Sequence, residues 1–162
     1  MEKKTHRICE ILDKLTLDAL HLIEEEVQLK LNLENAMIGG ESHLAKSRYI
    51  MGQNNVSALQ LPTEDGKEFS ASIKVAEHDS ETLLDNPELQ LKTVKKSEDE
   101  SVQEPLRWFG VLVPQNLSHS QNMFRQALQW AVQAVNVQIR LKETINKIGV
   151  LKEAKQMAKL EE

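Results

Sequence analysis

Apolar positions near the start of the chain recur in alternating steps of four and three: Ile8, Leu12, Leu15, Ala19 and Leu22. That spacing is the mark of a helix burying one stripe against another helix. Glu26 interrupts the stripe, and Leu29, Leu33 and Ala36 resume it. The pattern predicts a first long helix over 5–51, with Thr5 as its N-cap. A helix of that extent measures about 65–70 Å, a length that suits a coiled coil better than a compact single-core domain. Gly39-Gly40 lies inside it. Each glycine costs about 1 kcal/mol relative to alanine in a helix. Two readings compete there, a stop with a turn or a helix that runs on with close packing, and the continuous helix is favoured. Gly52 is suited to close it.

The pattern then changes. Over 52–75 short extended or strand segments are expected: Val56–Leu61 is mildly apolar, and Phe69, Ala71, Ile73 and Val75 alternate with polar residues as in a half-buried strand. Over 76–104 the chain is acidic and polar and reads as a mobile linker. The block 105–114, PLRWFGVLVP, is densely apolar and bounded by prolines, which disfavours a helix through it and predicts an extended segment pairing with the Phe69–Val75 strand. A lone two-stranded ribbon is marginal in water, so this small β element must pack on the helices.

The helical period returns over 116–160, with Asn116 or Ser118 as cap. Phe124, Ala127, Ala131, Ala134, Leu141, Ile145 and Ile148 trace its seam, with Gln138 polar in the middle. Leu128, Trp130, Val132, Val135 and Val137 make the apolar surface wider than two helices need, which points to a further partner surface. Beyond Gly149 the segment is polar and is expected to fray. The fold class predicted is mainly α: a long antiparallel helical hairpin with a small β element between its helices, one elongated module.

Composition narrows the function. The 162 residues carry 20 Lys+Arg against 25 Asp+Glu, a net charge of −5, which argues against a nucleic-acid partner needing a basic face. Aromatics are only 4%, in keeping with helices. The single cysteine, Cys9, makes an intrachain disulfide impossible and favours a reducing compartment. The first residues lack the unbroken apolar core of a signal peptide. The longest apolar run, Trp108–Pro114, is far short of the roughly 20 residues that span a bilayer.

Catalytic chemistry finds no foothold. The five histidines show no i, i+4 pairing, Cys9 has no CxxC partner, and His6 with Cys9 would supply too few ligands for a structural zinc. Nucleophile-elbow, HExxH and phosphate-loop motifs are missing. No enzyme activity, cofactor, metal or catalytic residue is expected. Partner contact is the remaining class. Lys46, Arg48 and Tyr49 near the end of the first helix read as a docking patch or as cations drawn to a helix C-terminus. Trp108 and Phe109 read as a hydrophobic plug or as a partner hot spot.

The stretch Leu44-Ala-Lys-Ser-Arg-Tyr-Ile-Met-Gly52 and the later Glu104-Pro-Leu-Arg-Trp-Phe-Gly-Val-Leu-Val-Pro114, running into a long helix, resemble the coiled-coil domain-containing protein 115 family of vacuolar-ATPase assembly factors. The order of helix, LAK-x-RY-x-MG, variable acidic linker, PL-x-WFG-x-LVP and helix matches as well. The resemblance implies an assembly chaperone for the membrane, proton-translocating sector of the vacuolar ATPase. It implies a peripheral place on the cytosolic face of the endoplasmic reticulum, with the intermediate compartment and coat-protein-I vesicles as related sites. The partners implied are a small transmembrane assembly factor (transmembrane protein 199-like) and unassembled proton-sector subunits. Lys46, Arg48, Tyr49, Trp108, Phe109 and Pro114 match the family motifs, and Leu128, Val132 and Val135 form the broad face offered to a partner. The competing readings are a general prefoldin-like holdase and a self-associating coiled-coil tether.

Overall fold

A computed structural model describes residues 2–63, 66, 68–77, 88–94 and 101–160. Two long helices, α1 (Glu2–Met51) and α2 (Gln115–Leu160), pack along each other. A two-stranded antiparallel sheet lies between them in the chain. The fold is mainly α, a helical hairpin carrying a small β element.

Tertiary pairing holds these helices, since helical segments gain most of their stability from burying an apolar face. The side chains buried on α1 are Leu12, Ala19, Leu29, Ala36 and Ser47, and those on α2 are Leu117, Ser120, Ala127, Ala134 and Val137. Most are small, which lets the two backbones approach closely. Leu29, Ala134 and Val137 form the central cluster, with Leu22 and Trp130 against it. Contacts across the hairpin fix the antiparallel register: Gln138 Nε2 donates to Glu26 Oε1 at 2.7 Å, and Ser120 Oγ donates to the Gly40 carbonyl at 2.8 Å.

α1 runs unbroken through Gly39-Gly40. A β-carbon on Gly40 would lie 2.8 Å from Phe124 Cε1 of α2, so the glycine is there for helix contact and not for a turn. The helix ends at Met51, and Gly52 turns the chain away with φ +89°. Asn55 Nδ2 donates to the Met51 carbonyl at 2.7 Å and so satisfies the last turn.

Several sequence expectations need correction. Thr5 lies inside α1, which begins at Glu2, and Asn116 and Ser118 lie inside α2, which begins at Gln115. Pro114 precedes that helix, and its carbonyl accepts from Leu117 N at 2.9 Å. The second helix's buried line departs from the predicted seam at two places beyond its middle: Val137 is 2% exposed beside the exposed Gln138, and Ile145 is 53% exposed, while Leu141 and Ile148 stay half-buried.

The β element differs from expectation too. β1 (Ile73–Glu77) pairs with β2 (Leu89–Thr93), with Val75 opposite Leu91, and not with 105–114. β2, the last two residues of β1 and the buried Val102 thus fall within 76–104, where a mobile linker was expected; of that stretch 78–87 and 95–100 lie outside the described residues. The apolar block forms a 3-10 turn, Pro105–Phe109, because proline fits the first position of a short helix as readily as it blocks the interior of a long one. Ala58–Gln60 is another short 3-10 turn and not extended. The segment around Phe69 does touch the apolar block through the edge-to-face contact of Phe69 with Trp108, ring centroids 5.3 Å apart, and a parallel bridge joins Ser70 to Val102 just before the block. Asn136 anchors the sheet on α2: its side chain donates to the Leu89 carbonyl and accepts from the Leu89 N–H, each at 2.9 Å.

Candidate functional site: the closed end of the hairpin

The C-terminal turns of α1 and the N-terminal turns of α2 meet at the closed end. His43 Nδ1 lies 3.1 Å from Asn116 Oδ1, and the rings of His43 and His119 stand 5.4 Å apart. The two motif blocks, far apart in sequence, therefore arrive at one end of the molecule. In the first block the helical period sorts the residues. Ser47 is completely buried and donates to the His43 carbonyl at 2.9 Å, while Lys46, Arg48 and Tyr49 point outward, Tyr49 being 92% exposed.

In the second block Trp108 is half-buried, its Nε1 donating to Gln103 Oε1 at 3.0 Å. Phe109 and Leu106 turn inward with Leu44, Ile73, Leu117 and Phe124 around a cavity of about 300 Å³. Pro114 is half-buried at the start of α2. Gly110, with φ +126°, reverses the chain so that Val111 and Leu112 stand 100% and 92% exposed. Those two aliphatics belong to the apolar block but were not singled out by sequence reasoning; only the glycine before them hints that they leave the surface. Arg125 Nη2 pairs with Glu104 Oε1 at 3.3 Å beside the cavity.

Leu128 edges the same cavity and is 45% exposed. Val132 is half-buried and Val135 is 40% exposed, so this broad face continues from the closed end along α2. Of the nine residues singled out from sequence, Lys46, Arg48 and Tyr49 thus form an outward basic-aromatic group, Trp108 and Phe109 a partly buried aromatic pair, Pro114 the lead into α2, and Leu128, Val132 and Val135 a half-open apolar strip. Among the described residues no group of three or more His, Cys, Asp or Glu side chains could hold a metal ion. No helix among them is long and apolar enough to cross a membrane.

Comparison with known proteins decides the family. The profile of the Vma22/CCDC115 family matches residues 54–127, from the loop after α1 into α2. Vacuolar ATPase assembly protein VMA22 of Homo sapiens is 31% identical over 150 residues, covering 80% of this chain and 83% of that protein. The chain belongs to the Vma22/CCDC115 family. The Mus musculus protein of the same name is 30% identical, covering 82% of this chain and 84% of its own length. The Danio rerio protein is 27% identical, with 88% and 87% covered. The Vma22/CCDC115 match centres on the closed end, the β element and the first turns of α2, while the alignments to the relatives take in most of the chain.

Proposed function

We propose that the protein is an assembly factor for the vacuolar ATPase, acting by protein–protein binding on the membrane, proton-translocating sector. The observation that carries this reading is its likeness, over most of both chains, to proteins named for vacuolar ATPase assembly. The hairpin lends support, because it presents half-exposed apolar side chains at Leu128 and Val135 beside a cavity and a basic-aromatic group. In this reading the strip around Leu128, Val132 and Val135 takes up helices of a small transmembrane assembly factor on the cytosolic face of the endoplasmic reticulum. The pair then holds an unassembled proton-sector subunit and releases it when the sector is complete. The protein works here as a binding surface and not as an enzyme.

The test is to purify the tagged full-length protein from membranes solubilised in mild detergent and identify what comes with it by mass spectrometry. Recovery of a small transmembrane protein with proton-sector subunits, and little of the soluble catalytic sector, is the expected result. A broad set of unfolded cytosolic clients would replace this reading with a general holdase.

A further inference from the structure

The face of α1 turned away from α2 carries a second apolar line. Leu17, Leu20, Val27, Leu31 and Ile38 are 58%, 57%, 53%, 47% and 54% exposed, and Ile23 beside them is 45% exposed. Their positions continue in alternating steps of three and four through Glu24 and Glu34: 17, 20, 24, 27, 31, 34, 38. This is the same heptad arithmetic that builds the hairpin seam, repeated on the opposite side and left uncovered. It extends about 32 Å along the helix. The β element does not cover it, since its anchor is Asn136 of α2.

The charges on this line select the occupant. Glu24 and Glu34 interrupt it, Glu10 and Asp13 precede it, and Glu41 follows it. The one Lys or Arg within the span, Lys30, is engaged off the line, its Nζ 2.7 Å from Glu26. A second copy laid in parallel register would set Glu24 on Glu24. Laid antiparallel about position 29, it would set Glu24 on Glu34. Either arrangement puts like charges face to face along the seam. An anionic membrane surface is opposed by the same carboxylates. A helix with an apolar seam and Lys or Arg at the positions meeting Glu24 and Glu34 satisfies both parts of the pattern.

We propose that the outer face of α1, from Leu17 to Ile38, is a second coiled-coil seam that docks a basic amphipathic helix of another protein. The proposal rests on the seam itself and is independent of the assembly reading. Its probes are two synthetic helical peptides, each about four heptads long, with one shared Leu/Ile seam. One carries lysines ten residues apart to meet Glu24 and Glu34, and the other carries glutamates there. Glu24 and Glu34 are equidistant from position 29, so the lysines meet them in either orientation.

Isothermal titration of the full-length protein is expected to show binding of the lysine peptide, at least about tenfold tighter than the glutamate peptide. The Glu24→Lys/Glu34→Lys variant should reverse that preference. Val27→Asp/Leu31→Asp should abolish binding while far-UV circular dichroism and the melting temperature stay near wild type, because both side chains are exposed. No binding of the lysine peptide, equal binding of both peptides, or loss of helicity without a binding-specific change would overturn the proposal. Self-association removed by Val27→Asp would also overturn it and make the face a homodimer seam.

Discussion

Glu26 and Gln138 each interrupt an otherwise apolar period, and in the folded molecule they meet, 2.7 Å apart. Lys30 also bonds Glu26, and these bonds, with that of Lys30 the stronger, hold its carboxyl below the usual carboxylate range. A carboxyl depressed on folding stabilises the fold above its unfolded pKa, and the benefit is lost as pH falls through the folded value. The urea midpoint of the wild type should therefore drop on acidification below about pH 4, and Glu26→Gln should show a smaller drop. Equal slopes for the two proteins would contradict this. Gly40 makes a second residue-scale prediction. Gly40→Ala forces a methyl against the Phe124 ring at 2.8 Å and should cost about 1–3 kcal/mol in urea unfolding. Gly39→Ala meets only the flexible Met123 side chain, Cε at 3.2 Å, while gaining about 1 kcal/mol of helix propensity, so it should be near neutral or better. Sequence reading located both interruptions but not that they touch, because a helical period gives the face of a residue and not its partner across the gap.

At the scale of elements, the helices were legible because many residues repeat one signal. Leu12, Ala19, Leu29 and Ala36 are buried where the period placed them. The strands were harder because five-residue elements offer little to average. Leu89-Gln-Leu-Lys-Thr93 does alternate, but with only Leu89 and Leu91 on its apolar side it disappeared among polar neighbours. Its decisive partner is Asn136 on the distant α2, a contact that no local pattern encodes. Asn136→Ala removes both bonds to Leu89. It should cost about 1–3 kcal/mol and accelerate amide exchange at Leu89 well before α2 exchanges. Protection at Leu89 equal to that of wild type would show that the strand is held by other contacts. The block 105–114 misled for a different reason: prolines forbid a long helix but accept a 3-10 turn, and the sequence alone does not choose between that turn and a strand.

At the scale of the whole molecule, the candidate site was half legible. Motif matching singled out Lys46, Arg48, Tyr49, Trp108, Phe109 and Pro114, and the antiparallel hairpin explains how they share one end. What it could not sort was direction, which burial supplies: Tyr49 outward, Phe109 inward toward the cavity. The assembly reading makes a prediction at this scale. Leu128→Asp/Val135→Asp should eliminate co-purification of the transmembrane partner while leaving helical content unchanged, since both side chains are already 40–45% exposed. Unaltered co-purification would move the interface elsewhere on the hairpin.

The antiparallel register also has a mechanical consequence. The first turn of α1 and the last turn of α2 lie at the same extremity, away from the closed end. Traction applied between them loads the cross-helix contacts one after another, as in opening a zipper, and never all together. In optical tweezers the rod should therefore yield at low force and in stages. It should pause where Glu26 grips Gln138 and again where Gly40 seats Phe124, before the closed-end contact of His43 with Asn116 gives way.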